Sequence, residues 1–400
     1  MAIRQIKYGG AVCNVMEQDA IIRSVKKSIS SGNWQAGEEA AKMEQEAAAF
    51  LGVKHGILTN SGSSAGLLAL SALELPKGSE VIISAVTFPT IFNIILQCGL
   101  VPVVVDAEIG TYVFRISDVE KAITKNTSAI IAVHAVGNPC DMPALMKLAK
   151  KHDIKVIEDN CDGWGSTIND KKVGSFGDIS ITSFHAAHIV SMGVGGGVFT
   201  NEGKLALRIR QYRDWGRQAN TTEPHKVKEL PEDYNPRFVY DKIGYNFQIL
   251  ELQAAMGRVQ LRKSKRVKKA RQENFNYLYK RLAKMPGLIM PRSVKGADVC
   301  WFSFPITTTN GDRGKLVAHL EANGIETRSM FAGNILKHPA YKNSVYIDKT
   351  RIGITKDYGV SADCDYILKN SFWISVHPRL TTSDRQYIIE VFEKYYGTNS

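Results

Sequence analysis

Three short segments of this chain carry side chains that could do chemistry. The first is a Ser-rich turn, Thr59-Asn60-Ser61-Gly62-Ser63-Ser64-Ala65, between a strand-like run and a helix-like run. Free backbone amides and hydroxyls collect at such a helix N-terminus and can bind a phosphate, although the turn could also serve only as a helix cap. The other two segments hold a carboxylate, Asp159, at the end of an apolar run and a histidine pair, His185 and His188.

Asp159 occupies a position where ligands commonly bind, because ligand sites of α/β sheets lie at the carboxyl ends of strands. A carboxylate there could pair with a protonated pyridine nitrogen and make that ring a stronger electron sink, although a lone aspartate after a strand is often a helix cap. The order along the chain is phosphate turn, Phe88, Asp159 and then Ser183 to His188. This order resembles that of phosphate site, stacking ring, ring-nitrogen partner and lysine in fold-type I pyridoxal enzymes.

His188 stands where such an enzyme would carry its Schiff-base lysine. No lysine occurs between Lys172 and Lys204, so no near neighbour can take over the covalent role. A histidine can transfer protons near neutral pH, but it cannot hold the cofactor covalently. The segment therefore predicts a proton-transfer residue beside an untethered cofactor, with a packing imidazole as the alternative.

The chain resembles the DegT/DnrJ/EryC1/StrS family of sugar aminotransferases over nearly its whole length. The motifs recur in the family's order: Ser31-Gly32-Asn33-Trp34, Asn60 to Ala65, Thr87-Phe88, Glu158-Asp159, Ser183-Phe184, Gly244-Tyr245-Asn246 and Gln253-Ala254-Ala255. The resemblance implies a fold-type I homodimer with shared active sites near the subunit interface. It also implies that Ser63, Ser64 and Ser183 bind the cofactor phosphate, Phe88 stacks on the ring, Asp159 pairs with the pyridine nitrogen and Asn246 reaches the partner's phosphate.

Within this family the chain is similar to the lysine-less 3-dehydratases of GDP-4-keto-6-deoxymannose and CDP-4-keto-6-deoxyglucose. Asp162 fits that branch, since ordinary members usually carry Gln there, and we place Asp162 and His185 among the cofactor-binding residues; His185 could equally only pack. The other matching segments are Gly137-Asn138-Pro139, Thr327-Arg328, Phe331 to Asn334 and Phe372 to Pro378. A lysine-to-histidine change alone would not explain these segments.

Two departures from the family pattern affect the expected chemistry. Val194 replaces a usual glutamate, which puts the local polar network in doubt. The CDP-sugar branch holds an iron–sulfur cluster partly through cysteines just after an Asp-Trp-Gly-Arg motif, whereas here Asp214-Trp215-Gly216-Arg217 is followed by no cysteine until Cys300. We therefore expect no iron–sulfur cluster, no metal and no reductase partner, which favours the GDP-sugar type of mechanism.

The resemblance implies a 3-dehydratase dependent on pyridoxamine phosphate. L-Glutamate would convert non-covalently bound pyridoxal phosphate to pyridoxamine phosphate, and His188 would move the proton that lets the C3 hydroxyl of a nucleotide-linked 4-keto-6-deoxyhexose leave. Hydrolysis would then give a 3,6-dideoxy-4-ketosugar and ammonia. GDP is the favoured nucleotide, with CDP, dTDP and UDP open. The alternatives are a nucleotide-sugar 4-aminotransferase and a non-catalytic relative that binds a cofactor or nucleotide sugar.

Substrate contacts are expected mainly from the C-terminal third of the chain. Arg328, Asn334 and His338 fall in a segment that could face the substrate, although a surface role is equally open. Arg217 could meet the nucleotide diphosphate. Trp34 could lie at the subunit interface or only pack.

Strand-like and helical runs alternate from about residue 54 to 201, which predicts an α/β core with a mixed, mostly parallel sheet. The predicted parts are a large domain over 1–250, a long helix within 251–287 and a small α+β domain over 288–400. The polar stretch 218–233 holds two prolines and predicts a mobile or substrate-facing loop.

Composition excludes several other classes of protein. The chain has 400 residues, 44% of them hydrophobic, and its apolar runs are strand-sized, so we expect no membrane span, no secretory signal and a cytoplasmic location. The six cysteines include no CxxC pair and predict buried, reduced thiols. The net charge of +12 is dispersed, and even the densest stretch, Arg262 to Arg271, lies in a helical pattern. Nucleic-acid binding is therefore not expected.

Overall fold

A computed structural model describes residues 4–32, 34–218, 227, 229–350 and 362–397 of this chain. Its strands are β1 (His55–Thr59), β2 (Glu80–Ser84), β3 (Val101–Val105), β4 (Thr127–Val133), β5 (Lys155–Asp159), β6 (Thr167–Ile168), β7 (Lys171–Lys172), β8 (Ile179–Ser183), β9 (Gly196–Thr200), β10 (Leu288–Ile289), β11 (Ala297–Asp298), β12 (Phe304–Thr308), β13 (Thr327–Ser329), β14 (Ile347–Lys349) and β15 (Ser371–Ile374). The α-helices are α1 (Val15–Ser30), α2 (Glu38–Leu51), α3 (Gly62–Ala72), α4 (Pro89–Gln97), α5 (Ile116–Ala122), α6 (Met142–His152), α7 (Gly203–Arg213), α8 (Glu251–Arg262), α9 (Ser264–Leu282), α10 (Arg313–Ala322), α11 (Asp363–Asn370) and α12 (Thr382–Tyr396).

The large sheet has eight strands in the order β1-β9-β8-β5-β4-β2-β3-β14. All pairings from β8 to β14 are parallel, while β9 runs antiparallel to both β1 and β8. Every residue of β2 is buried, so both faces of the sheet are covered at this strand. The predicted mixed, mostly parallel α/β sheet is confirmed.

The C-terminal part is built around a four-stranded antiparallel sheet, β10-β12-β15-β13, in which β12 and β13 both pair with β15. One stretch that the sequence assigned to the small domain does not stay with this sheet. Strand β14 pairs in parallel with β3 and forms one edge of the large sheet. The boundaries at 250 and 287 stay predictions, but the segment 288–400 contributes strands to both sheets.

The sequence predicts one long helix within 251–287, whereas the structure has two helices, α8 and α9, with a break at Lys263. Lys263 leaves helical geometry at φ −98° and ψ 4°, and its buried ammonium lies 2.9 Å from Glu17 Oε2 of α1. Helix α8 packs on α1 and α2, whereas α9 packs on α12. The apolar period continues across Lys263, so it could not reveal a change of packing partner.

The N-terminal segment is attached to the small domain. Ile6 forms a parallel bridge with Ile325, Tyr8 donates its N–H to Glu326 Oε2 at 2.9 Å, and His377 hydrogen-bonds the carbonyl of Gly10 at 2.8 Å. No helix within the described ranges is long and apolar enough to cross a membrane. Of the predicted loop over 218–233, residues 219–226 and 228 lie outside the described part of the chain, as does Asn33.

Candidate functional site

A cavity of about 630 Å³ opens at the carboxyl ends of β4, β5 and β8. Nine of the predicted site residues line it: Ser63, Phe88, Asp159, Asp162, Ser183, His185, His188, Arg328 and His338. Tyr8 and Trp373 complete the wall from the N-terminal segment and from β15. The large sheet and the small domain thus meet around one cleft.

The start of helix α3 forms one end of the cavity. Ser61 caps the helix, its Oγ accepting the N–H of Ser64 at 3.0 Å, and Ser61, Gly62 and Ser63 all line the cavity. A Cβ on Gly62 would stand 2.8 Å from Ser183 Cβ, so this turn needs glycine to approach β8. Amide groups of a first helical turn and nearby hydroxyls suit an anion such as phosphate.

Ser64 does not face the cavity. Its hydroxyl donates to Asn60 Oδ1 at 2.6 Å and accepts from Ser61 at 3.0 Å. The sequence assigned Ser64 to phosphate binding, whereas the structure places its side chain in the capping network. Ser61, which belongs to the same Ser-rich turn, is the neighbour that lines the site.

Phe88 and Asp159 suit an aromatic ring with a basic nitrogen. Phe88 follows β2 and is 59% exposed, which leaves an aromatic face uncovered in the cavity. Asp159 ends β5 and is buried, with one hydrogen bond to Oδ1 from the N–H of Cys161 at 3.1 Å. Burial raises the pKa of Asp159 above its usual value, since desolvation disfavours the charged form. A cation bound beside this carboxylate would offset that cost.

His188 and Asp162 lie together at the cavity wall. His188 Nδ1 is 3.4 Å from Asp162 Oδ1, and both side chains are largely buried. The second oxygen of Asp162 accepts the N–H of Val136 at 3.2 Å. His185 is exposed toward the cavity, and its ring centroid lies 6.4 Å from that of His188. The site therefore has an imidazole next to a carboxylate, an arrangement suited to moving a proton.

Tyr8 is a cavity residue that sequence reasoning missed. Its ring stacks on Trp373 at a centroid distance of 6.3 Å, and the guanidinium of Arg328 lies 5.1 Å from the Tyr8 centroid. Burial raises the pKa of the Tyr8 phenol well above its usual value. No periodic pattern marks residue 8, because it belongs to an extended segment that is placed only by contacts with the small domain.

The remaining predicted substrate residues differ in position. His338 lines the cavity and hydrogen-bonds the carbonyl of Ala332 through Nε2 at 2.8 Å. Asn334 is buried elsewhere, since its Nδ2 donates to Asp365 Oδ1 at 2.7 Å and its Oδ1 accepts from Leu336 N–H at 3.1 Å. Both ends of its amide are engaged, so the structure gives Asn334 a capping position and not one in the cavity.

Arg217 and Asn246 also lie outside the cavity wall. Arg217 places its guanidinium 4.5 Å from the centroid of Trp215. Asn246 is exposed and forms an antiparallel bridge with Asp214. The predicted contacts of Asn246 with a partner subunit and of Arg217 with a diphosphate stay predictions.

The cysteines form no disulfide; Cys140, Cys300 and Cys364 are buried, and the other three are partly buried. Throughout the described ranges, no group of three or more His, Cys, Asp or Glu side chains is arranged to hold a metal ion.

Val194 exposes its side chain at the cavity, while its carbonyl accepts a hydrogen bond from Gln253 Nε2 at 2.9 Å.

Comparison with known proteins gives consistent matches. Residues 15–393 match the model of the DegT/DnrJ/EryC1/StrS aminotransferase family. The chain is 37% identical to lipopolysaccharide biosynthesis protein RfbH of Salmonella typhimurium, over 89% of this chain and 84% of that protein. It is also 37% identical to dTDP-4-dehydro-2,6-dideoxy-D-glucose 3-dehydratase of Saccharopolyspora spinosa, over 99% and 87%.

A synthase is among the similar proteins too. GDP-perosamine synthase of Caulobacter vibrioides is 30% identical, over 90% of each chain. Among solved structures, E. coli GDP-4-keto-6-deoxy-D-mannose-3-dehydratase with bound hydrated PLP superposes with a TM-score of 0.86 at 28% identity, covering 97% of this chain and all of that one. The matches thus include proteins named as dehydratases and one named as a synthase, each covered over most of its length.

Proposed function

Because the chain belongs to the DegT/DnrJ/EryC1/StrS aminotransferase family of pyridoxal-phosphate-dependent, sugar-modifying enzymes, we propose that it is a sugar 3-dehydratase. It removes the C3 hydroxyl of a nucleotide-activated 4-keto-6-deoxyhexose, with L-glutamate recharging the cofactor. The observation that carries this proposal is the imidazole of His188 inside the cavity and beside Asp162, in a segment that resembles the one where the family carries its Schiff-base lysine. A histidine leaves proton transfer in place and removes the covalent tether.

The cavity residues fit pyridoxal or pyridoxamine phosphate. Gly62 and Ser63 at the start of α3, with Ser183 opposite, would hold the cofactor phosphate. Phe88 would stack its exposed face on the ring, and Asp159 would pair with the protonated ring nitrogen, which would offset the desolvation that raises the pKa of this carboxyl. When bound, the amine form of the cofactor supplies a nucleophilic nitrogen and an electron sink for loss of the hydroxyl.

The protein's own residues divide the remaining tasks. His188 takes and returns the proton whose transfer lets the C3 hydroxyl leave. Asp162, which follows β5, contacts the His188 ring. His185 lies on the same wall and could bind the phosphate. Arg328 and His338 contact the sugar nucleotide from the cavity wall. Outside the wall, Arg217 contacts the nucleotide diphosphate and Asn246 reaches the cofactor phosphate of the partner subunit in a homodimer. GDP is the proposed nucleotide, and no iron–sulfur cluster is involved.

The test is to incubate the purified protein with pyridoxal phosphate, L-glutamate and a panel of 4-keto-6-deoxy nucleotide sugars. Loss of the C3 hydroxyl with release of ammonia supports the proposal. Formation of an amino sugar that keeps its C3 oxygen supports a 4-aminotransferase, a function consistent with the similarity to GDP-perosamine synthase. No turnover with the whole panel supports a non-catalytic binding protein.

Borohydride treatment gives a second, independent readout. A cofactor joined to a lysine as a Schiff base becomes irreversibly attached on reduction, whereas an untethered cofactor is lost on denaturation. We expect no attachment. A stable protein–cofactor adduct would overturn the proposed tether-free chemistry.

A further inference from the structure

The imidazole of His188 lies next to a carboxylate and an aromatic ring, and one backbone turn holds both of these neighbours. Asp162 Oδ1 lies 3.4 Å from His188 Nδ1, and the Phe302 ring lies 5.2 Å from the imidazole, centroid to centroid, tilted by 32°. The His188 side chain is 16% exposed and that of Asp162 is 8% exposed. Water therefore has little access to the pair, which strengthens any interaction between them.

The turn that fixes both neighbours contains Val136. This β-branched residue adopts φ 51° and ψ 23°, a left-handed conformation that persists only where its surroundings enforce it. Its N–H donates to Asp162 Oδ2 at 3.2 Å, and its carbonyl accepts the N–H of Phe302 at 2.9 Å. Gly137 follows at φ 93°, and a Cβ there would stand 2.4 Å from the Cys300 carbonyl oxygen. The turn therefore anchors the carboxylate and the aromatic ring together.

His188 Nδ1 is buried and makes no hydrogen bond in this geometry, although Asp162 lies within ion-pair distance. A small rotation of the ring would complete the hydrogen bond to Asp162, whereas a buried unpaired nitrogen costs about 1–3 kcal/mol. The ring also borders a void of about 10 Å³ that Arg271 and His377 help to line. Arg271 can only donate, so Asp162 is the charged acceptor available to Nδ1.

We infer that Asp162 is the positioning residue of His188: its carboxylate accepts a hydrogen bond from Nδ1–H, fixes the tautomer and leaves Nε2 as the base that faces the cavity. Histidine–carboxylate pairs orient an imidazole in this way in other enzymes. The catalytic consequence rests on the proposed function of His188 in proton transfer, whereas the tautomer itself does not. Asp162 thus acts through His188, beyond the cofactor contact that the sequence predicts for it.

The variant Asp162→Asn tests whether Asp162 fixes the tautomer of His188, because an amide has a single acceptor oxygen. The Val136 N–H holds that oxygen, so the amide NH₂ turns toward Nδ1 and the ring proton moves to Nε2. Nitrogen-15 NMR of the histidine-labelled holoenzyme, with His188 assigned by its loss in His188→Asn, is expected to show the proton on Nδ1 in the wild type and on Nε2 in the variant. The turnover number is expected to fall about 10²- to 10⁴-fold with KM for the sugar nucleotide changed by about twofold or less.

A matched control is Asp106→Asn. Asp106 is also buried and accepts backbone N–H groups, from Ala107, Asp363 and Cys364, but it lies away from the cavity. This variant should keep both the His188 tautomer and the turnover number. Equal losses in the two variants, or a ring proton that stays on Nδ1 in Asp162→Asn, would overturn the inference.

If Asp162→Asn does not fold, Asp162→Glu keeps a carboxylate and should keep the proton on Nδ1; a proton on Nε2 there counts against the inference. The readouts also separate this inference from the proposed function. A wild-type protein with the expected tautomer and no dehydration on any sugar nucleotide refutes the proposed function alone.

Discussion

At the residue scale, the proton-transfer role of His188 can be tested apart from cofactor binding. We expect His188→Asn to bind pyridoxamine phosphate as the wild type does, because the phosphate end and Asp159 are untouched. Turnover should fall about 10²- to 10⁴-fold, the usual contribution of a general acid–base residue. Single-turnover kinetics measure the rate, and the absorbance of the cofactor after gel filtration measures retention.

The control for that substitution is His152→Asn, at the exposed end of α6. It removes an imidazole of the same chain without touching the cavity and should leave the rate unchanged. A His188→Asn protein that dehydrates at the wild-type rate would show that another group moves the proton.

Asp159 supports a second prediction, in which stability and cofactor affinity change in opposite directions. Burial raises the pKa of Asp159, so the ionised carboxylate destabilises the cofactor-free protein at neutral pH. This cost decreases as the pH falls through the raised pKa, because the folded state then takes up the proton more readily than the unfolded state. Asp159→Asn should therefore raise the thermal midpoint of the cofactor-free protein while weakening pyridoxamine phosphate binding by about 10- to 100-fold.

Thermal unfolding without the cofactor and a fluorescence titration with it measure the two effects. The Asn oxygen can still accept the N–H of Cys161, so the local turn is preserved. A variant that binds the cofactor as tightly as the wild type would remove Asp159 from the ring-nitrogen role.

At the element scale, His377 makes the attachment of the N-terminal segment sensitive to acid. His377 Nδ1 accepts the N–H of Arg379 at 3.2 Å, so the ring proton sits on Nε2 and is donated to the carbonyl of Gly10 at 2.8 Å. Burial, followed by the charges of Arg271 and Arg379, lowers the pKa of His377 to about 4. The folded state thus holds a neutral imidazole where the unfolded state titrates near 6.5.

The unfolded state therefore binds more protons between about pH 6.5 and pH 4, so His377 contributes stability above that window and the contribution is lost as the pH falls through it. Between pH 7 and pH 5 the free energy of unfolding should fall by about 2 kcal/mol on account of this group. Urea unfolding at the two pH values measures the change. His377→Gln should reduce this dependence, whereas His152→Gln should leave it intact; an unchanged dependence in His377→Gln would disprove the assignment.

The elements show what the sequence could and could not predict. Strands β2, β5 and β8 lie within the stretch 54–201 where the sequence predicts alternating strands and helices, and each is a five-residue run that such a pattern can reveal. Strand β14 has three residues and no such run, since it is held by pairing with the distant β3. The break at Lys263 likewise coincides with a long-range contact, the ion pair of Lys263 with Glu17 of α1, which the local sequence pattern does not show.

The same limit applies to the candidate site. The order of motifs could place His188, Asp159 and Phe88, since each lies at or after the end of a strand of one sheet and reaches the same edge. Tyr8 could not be found, because its position depends on the contacts of an extended segment with Glu326 and Ser375. The structure places Ser64 and Asn334 in capping hydrogen bonds, which the sequence could not distinguish from ligand contacts because both use the same residue types.

At the scale of the whole molecule, an exposed apolar cluster borders the cavity. Trp34 is 59% exposed, Leu250 52% and Val194 54%. The three are joined by hydrogen bonds: Trp34 O accepts from Glu251 N–H at 3.1 Å, and Gln253 accepts from Leu250 N–H at 2.8 Å and donates to Val194 O at 2.9 Å. Because Val194 also lines the cavity, a second copy of the chain seated on this cluster would reach the site.

We therefore expect a homodimer with twice the monomer mass of 44.2 kDa, measured by light scattering. Trp34→Glu places a charge in the cluster and should shift the mass toward the monomer at micromolar concentration, with turnover falling in parallel, because each proposed site needs its partner. Val345→Glu is the matched control. Val345 is 73% exposed and lies just before β14, away from the cluster. If Trp34→Glu remains a fully active dimer, the subunits meet through another surface, and the predicted reach of Asn246 into a partner's site loses its structural support.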